Sequence, residues 1–456
     1  MYDNFYFLGI GGIGMSALAR YFKAKGYRVA GYDRVESRLT DELMAEGVDI
    51  HFDDDERNIP QEYRNRKRTL VVYTPAVHED NRELSYFRRE GFEVEKRAQV
   101  LGQVTRMERA LCIAGTHGKT TVSTMTAHLL KQSHVDCNAF LGGVSKNYTS
   151  NLLLSERSDL VVIEADEFDR SFHHLSPYMA VITATDADHL DIYGTHEAYI
   201  ESFEHFTSLV REGGTLIVKK GIALRPRVKE SVKVYDYSAT EKADFHAENI
   251  RIGGGRLLFD FVAPDTRVDD VELGVPLPVN VENAVAAMAL AHLNGATDEE
   301  LRAGMASYRG VRRRFDVQYK SERLTMIDDY AHHPAELEAS IRSVKSLYEG
   351  KRVLGVFQPH LYTRTRDFYR DFAAALSLLD AVDIVEIYPA REMPIEGVTS
   401  KLIYDCVTAA DKHLTTKAQL IGLLGRQEFD VLLTLGAGDI DMMLPEVVEA
   451  MKREGR

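Results

Sequence analysis

The chain has 456 residues, more than one hydrophobic core ordinarily serves, so two or three domains are expected. Hydrophobic residues make up 45% and charged residues 28%, an ordinary globular balance that excludes wholesale disorder. A formal net charge of −14 argues against a protein that coats nucleic acid or inserts into anionic membrane, and it requires any phosphate-binding cations to be gathered locally.

Three stretches alternate short apolar strands with helical segments, which predicts an α/β protein with mostly parallel sheets. The first, residues 1–106, carries strands at Phe5–Leu8, Tyr27–Tyr32, Leu70–Tyr73 and Phe92–Val94. The second, 107–311, opens with the strand 110–114 and continues through Leu160–Ile163, Met179–Thr183 and Thr215–Val218. Between 230 and 275 the pattern shortens around Gly253-Gly254-Gly255 and reads as a small antiparallel insert or flank, followed by an Ala-rich helix at Asn283–Leu293. The third, 312–456, has strands at Leu324–Ile327, Val353–Phe357, Ile384–Ile387 and Val431–Leu435. The N-terminus shows no basic region followed by an apolar core, and no apolar run approaches a membrane span, so a cytoplasmic location is expected. Cys112, Cys137 and Cys406 form no C-x-x-C pair and read as reduced thiols.

Two glycine loops follow strands, where ligands bind in open parallel sheets. Gly9-Ile10-Gly11-Gly12-Ile13-Gly14 satisfies G-x-G-x-x-G ahead of a helix starting near Met15. Backbone N–H groups of such a loop can face a diphosphate, and Asp33 ends the second strand where a ribose-binding acid would stand. Thr74, just past the strand Leu70–Tyr73, joins Gly9, Gly11, Gly12, Gly14 and Asp33 as a candidate. Alone this loop would spell a nicotinamide-dependent oxidoreductase, or a turn that merely packs helix on strand.

The second loop, Gly115-Thr116-His117-Gly118-Lys119-Thr120-Thr121, follows an apolar strand and opens a helix through Lys131. Its N–H groups would wrap the β- and γ-phosphates of ATP; Lys119 supplies a point charge and Thr120 a hydroxyl for Mg²⁺. The loop is shorter than G-x-x-x-x-G-K-[ST], with Ile113 in place of the first glycine. A dehydrogenase has no use for a second phosphate site, so the first loop is read as holding a nucleotide-linked substrate.

Two further strands run into acids: Glu164-Ala165-Asp166-Glu167, and Asp186-Ala187-Asp188-His189-Leu190-Asp191. Taken as adjacent strand ends, they would aim Glu164 and His189 at the phosphates. Hard oxygen ligands suit Mg²⁺, and five crowded carboxylates (Glu164, Asp166, Glu167, Asp188, Asp191) would repel one another without a cation.

Together with Arg312-Arg313-Arg314-Phe315, Asp328-Asp329-Tyr330-Ala331-His332-His333-Pro334, the run Gln358-Pro359-His360-Leu361-Tyr362-Thr363-Arg364-Thr365 and Gly436-Ala437-Gly438-Asp439, these motifs resemble the Mur ligase family along essentially the whole chain, and its alanine-adding branch in particular. The resemblance implies a Rossmann-like UDP-binding domain, a central P-loop ATPase domain and a C-terminal Rossmann-like domain that closes over the second. It implies that ATP phosphorylates the carboxylate of UDP-N-acetylmuramate and that the amine of L-alanine displaces phosphate. By the same resemblance Thr120, Glu164 and His189 hold Mg²⁺. Asn280 and Asn283 lie on the adenine side, and Arg314, Asp329 and Tyr330 on the ATP side. His332, His360, Tyr362 and Arg364 serve the amino acid. Arg364 suits the alanine carboxylate, and either histidine could take the amine proton or only position substrate.

The chain departs from the family pattern at Val279, where His is usual, and at Leu361, where Arg is usual. No Lys lies between Leu190 and Val218, so no carbamylated lysine is expected. Rival readings are a recycling ligase that attaches a preformed tripeptide, the oxidoreductase, and a non-catalytic nucleotide binder. Beyond the small-molecule substrates no partner is expected; the chain is read as a monomer or weak homodimer.

Overall fold

The structure is a computed structural model that describes residues 2–453 apart from Pro75, His189, Gly254, Gly255 and Arg391; the side chains of Arg38, Leu190 and Asp191 also lie outside the description. Its described residues form three sheets in two compact units. The first unit comprises Met1–Ile250, Leu258–Gly274 and Val281–Arg309; the second comprises Arg251–Leu257, Val275–Asn280 and Gly310–Arg456.

In the first sheet β1 (Asn4–Leu8), β2 (Arg28–Tyr32), β3 (Asp49–His51), β4 (Thr69–Tyr73) and β5 (Glu93–Lys96) lie in the order β3-β2-β1-β4-β5, all parallel. The central strands β1 and β4 are near-continuous apolar runs because helices cover both their faces. The chain reverses its direction of winding at β1, so the crevice beyond the carboxyl end of β1 is the topological switch point. The glycine loop sits there, and the helix Ile13–Ala24 starts two residues earlier than its apolar pattern suggests.

The second sheet has ten strands in the order β15-β14-β13-β12-β11-β10-β6-β9-β7-β8. They are β6 (Arg109–Ala114), β7 (Asn138–Ser145), β8 (Ser150–Leu153), β9 (Leu160–Glu164), β10 (Met179–Ile182), β11 (Thr215–Lys219), β12 (Lys233–Ser238), β13 (Phe245–Gly253), β14 (Arg256–Val262) and β15 (Arg267–Glu272). Residues 230–275 form the flank of this sheet, antiparallel only in part. β12 and β13 continue it in parallel, while β14 and β15 pair antiparallel, as do β7 and β8 at the other edge. Alternation along a strand reports one solvated face, not strand direction, and β13 is exposed over its second half. The Ala-rich helix begins at Pro278, five residues before the expected start, because proline is accommodated in a first helical turn.

The third sheet contains β16 (Asp316–Lys320), β17 (Thr325–Asp329), β18 (Val353–Phe357), β19 (Ala381–Ile384), β20 (Asp411–Leu414) and β21 (Val431–Leu435), in the order β16-β17-β21-β18-β19-β20. Only β16 runs antiparallel. Strand β19 ends at Ile384, where the expected strand began. The three cysteines are free thiols, Cys112 and Cys137 buried and Cys406 exposed. Among the described residues no helix is long and apolar enough to cross a membrane.

Candidate active site

The phosphate loop is built at the carboxyl end of β6. Gly118 caps the helix Lys119–Gln132 with φ +83°, a left-handed conformation that a Cβ would strain. The loop is pinned from β10: Thr116 N–H donates to the Ala184 carbonyl at 3.1 Å, the Thr116 hydroxyl to the Asp186 carbonyl at 2.8 Å, and the Thr183 hydroxyl to the His117 carbonyl. Asn283 reaches the same loop, since a Cβ on Gly118 would lie 2.8 Å from its Oδ1. His117 Nε2 stands 3.8 Å from Asp186 Oδ2. Thr121 lies in the first turn of the helix.

Lys119 folds back on its own loop. Its ammonium donates to the Gly115 carbonyl at 2.6 Å and to Glu167 Oε1 at 2.8 Å. Glu167 is 2% exposed, so this is a buried pair. Burial alone would lower the lysine pKa, but Glu167, Glu164 and Asp166 outweigh it and hold it above its ordinary value. Lys119 is therefore held in its charged form against Glu167.

Glu164 and the residues up to His189 leave strands that are not adjacent. β9 and β10 flank β6, so the two segments approach the phosphate loop from opposite sides. Consecutive acid-ended runs suggest adjacent strands, but β6 lies between β9 and β10 and pairs with both. His189 itself lies outside the described residues. Glu164 Oε1 accepts the Thr120 hydroxyl at 3.1 Å, and Oε2 accepts the Gly142 N–H at 3.2 Å. A Cβ on Gly142 would stand 2.5 Å from Glu164 Oε1 and Cδ and closer still to Oε2. Gly142, on β7, is thus a site residue that sequence reading missed, because a Gly-Gly in a strand carries no sign of the side chain that will lie across it.

The acids are also less bare than a charge count suggests. Glu167 has Lys119, Glu164 has two donors, and Asp166 lies 3.8 Å from Arg97. Hydroxyl and carboxylate oxygens brought together at Thr120 and Glu164 are the donor chemistry of a hard divalent cation. No group of three or more metal-ligating side chains occurs among the described residues.

The first glycine loop opens into a cavity of about 390 Å³ shared with the acids, lined among others by Gly12, Gly14, Thr74, Arg97, Gly142, Glu164 and Asp166. Thr74 packs on Gly9, whose built Cβ would meet its methyl at 2.6 Å. Asp33 has work of its own: Oδ2 accepts the Gly11 N–H at 2.7 Å and Oδ1 the Val35 N–H at 3.1 Å. The Gly11 amide is therefore spent on holding the turn.

The remaining candidates lie in the second unit. The carboxyl end of β17 carries Asp328, Asp329 and Tyr330. Burial pushes the Asp328 carboxyl up to about 7, against the Thr434 hydroxyl at 2.7 Å and Arg313 at 3.7 Å. Burial raises Asp329 as well, despite the Ser340 hydroxyl at 2.6 Å. Arg313 is an anchor, donating to the carbonyls of Gly436 and Gly438 at 3.0 and 2.9 Å. Arg314 lies over the Tyr330 ring at 5.3 Å. Asn280, buried, bonds the Val275 carbonyl at 3.3 Å.

His332, His360 and Arg364 come together. The two imidazoles are 6.2 Å apart, and Arg364 Nη1 lies 3.3 Å from His360 Nδ1. Burial first, then the Arg364 charge, brings His360 down to about 4. Burial lowers His332 too, against the pull of Glu336. Both shifts favour the neutral imidazole. Tyr388 stacks on His360 at 5.8 Å and forms an isolated parallel backbone bridge with it, a support that nothing in the sequence announced. Leu361, between the site residues, sits at φ +72°, a conformation that is costly for a residue with a Cβ.

Parallel sheets with a phosphate-loop motif at one strand end and a second glycine loop opening on the same acids define an α/β protein of the nucleotide-binding type. Family models agree on what kind. The Mur ligase family catalytic domain matches residues 4–109, the Mur ligase middle domain 113–291, and the Mur ligase glutamate ligase domain 313–438. The chain belongs to the Mur ligase family. It is 61% identical over 451 residues to a UDP-N-acetylmuramate–L-alanine ligase of Parabacteroides distasonis, covering 99% of this chain and 98% of that one. It is 58% identical over 449 residues to the ligase of the same name from Porphyromonas gingivalis, covering 98% of each. Among solved structures, the UDP-N-acetylmuramate–alanine ligase of Thermotoga maritima superposes with a TM-score of 0.82 at 28% identity over 99% of both chains. A murein peptide ligase from Psychrobacter arcticus shares the fold, with a TM-score of 0.67 at 20% identity over 98% of both.

Proposed function

We propose that the chain joins L-alanine to the carboxylate of UDP-N-acetylmuramate, consuming ATP through an acyl phosphate. The observation that carries this reading is Glu164, which lines the cavity of the first glycine loop and at the same time accepts the hydroxyl of Thr120 in the phosphate loop. Relatives at 58–61% identity and near-complete coverage support the substrates.

The chemistry follows from the residues. A carboxylate is a poor electrophile and must be activated. Its oxygen attacks the γ-phosphorus of ATP and ADP departs. The amine of L-alanine then attacks the acyl carbon, phosphate leaves, and the amine proton goes to a base. Lys119, released from Glu167, offsets charge on the transferring phosphoryl group. Thr120 and Glu164 would hold magnesium, with His189 as a further ligand by resemblance; the ion supplies charge neutralisation on the phosphates. Arg364 offers a guanidinium to the alanine carboxylate. His360 and His332, both shifted toward the neutral imidazole, can accept the amine proton.

Product mass tests the assignment. With ATP, Mg²⁺ and UDP-N-acetylmuramate, L-alanine should give a product heavier by one alanyl residue. A product formed with the tripeptide and not with alanine would move the chain to peptide recycling.

A further inference from the structure

Arg97 is the one cation among the residues lining the cavity between the two halves of the first unit. It stands at the start of the helix Arg97–Met107, just after β5, and its side chain crosses to the glycine loop. Among the described residues it makes one long ion pair, Nη2 to Asp166 Oδ2 at 3.8 Å, and no hydrogen bond. Its side chain is 27% exposed. A guanidinium has five N–H donors, and leaving them without acceptors in a partly closed cleft is unfavourable unless a ligand takes them.

The neighbour on its other side is Gly14. A Cβ built there would lie 2.9 Å from Arg97 Nη1, 3.2 Å from Cδ and 3.3 Å from Cζ. Gly14 thus has a purpose apart from turning the chain: it leaves the channel through which Arg97 reaches the first turn of the helix Ile13–Ala24. The Gly12 N–H is held by the Gly9 carbonyl at 3.3 Å and the first bond of that helix runs from the Ser16 N–H to the Gly12 carbonyl, so the N–H groups of Ile13, Gly14 and Met15 have no partner within the helix. The Gly11 amide is not among them, being held by Asp33. Guanidinium and helix N-terminus converge on one position suited to a dianion.

We propose that Arg97 grips the diphosphate of the UDP-sugar substrate and that Gly14 is bare in order to admit it. The assignment rests on reading this cleft as the UDP-substrate site. Arg97 is a binding residue: it selects for the second phosphate and takes no part in phosphoryl transfer.

Titration calorimetry with UDP and UMP tests this on the full chain, with ATP binding as the check that each variant is folded. The wild type should prefer UDP to UMP. Arg97→Ala should weaken UDP by about 10- to 100-fold and leave UMP within a few-fold, so the preference collapses. Arg97→Lys should restore part of it. Gly14→Ala should weaken UDP alone, and the double variant should be no worse than Arg97→Ala, because the methyl group then displaces nothing. Unchanged UDP affinity in Arg97→Ala overturns the assignment, including the case in which only UDP-N-acetylmuramate weakens and Arg97 holds the sugar acid instead. A double variant with losses that add overturns the role of Gly14. A wild type that binds neither nucleotide overturns the reading of the cleft itself.

Discussion

Replacing Gly142 by alanine should separate catalysis from stability. The added methyl would stand 2.5 Å from Glu164 Oε1 and Cδ, where ordinary contact begins near 3.4 Å, so the carboxyl group must retreat by about 1 Å. It is the end of a flexible side chain, and the φ of Gly142 lies outside the left-handed region, so the fold has little to lose. The melting temperature should stay within about 2 °C of the wild type. Glu164, however, loses the Gly142 N–H bond and its alignment with Thr120. A misplacement of about 1 Å can cost roughly 100-fold in rate, or about 2.7 kcal/mol of barrier. The assay is steady-state phosphate release across a Mg²⁺ titration. kcat should fall by about 100-fold and the Mg²⁺ needed for half-activation should rise, while the KM for UDP-N-acetylmuramate moves less than about threefold. Activity within twofold of the wild type at every Mg²⁺ concentration would refute the placement of Glu164 as a ligand of the ion.

Lys119→Ala should lower turnover by at least about 1000-fold and leave UDP binding intact, checked by phosphate release and calorimetry; loss of UDP binding in folded protein would contradict the separation of the two loops. Glu167→Gln removes the counter-charge of a buried lysine, so it should lower the melting temperature of the nucleotide-free protein, and saturating Mg-ATP should recover much of the loss. Arg364→Ala should raise the KM for L-alanine by about 10- to 100-fold with the KM for ATP little changed. His360 has a folded pKa near 4, below the unfolded value, so its contribution to stability is whole above about pH 6.5 and is lost as pH falls toward 4. Denaturant unfolding of His360→Asn should accordingly depend less steeply on pH across that window than the wild type.

Strand-ended motifs were the most legible part of the chain. Lys119, Thr120 and Glu164 could be picked out because phosphate loops and acid-ended strands are local patterns, and the structure brings them together. His332, His360 and Arg364 also converge, although the sequence separates them by about 30 residues; the family resemblance, not spacing, pointed to them. What sequence could not supply was the order of strands. β6 lies between β9 and β10 by topology, and consecutive runs of acids cannot reveal an intervening strand. Nor could it supply side chains that act by proximity. Arg97 follows an unremarkable strand, and Gly142 and Tyr388 belong to no motif, yet each lies against a candidate residue. Asp33 shows a further limit: its position suited a ribose acid, and nothing in the sequence announced that it would also accept the Gly11 N–H.

The central claim is that this chain activates a carboxylate by phosphorylating it before alanine arrives at the acyl carbon. UDP-N-acetylmuramate labelled with heavy oxygen in its carboxylate, turned over with ATP, Mg²⁺ and L-alanine, tests it most directly. Phosphate released with the label, in step with alanyl product, is the predicted result, because the attacking carboxylate oxygen leaves with the phosphoryl group. Unlabelled phosphate alongside the same product would contradict the acyl phosphate and the roles built on it.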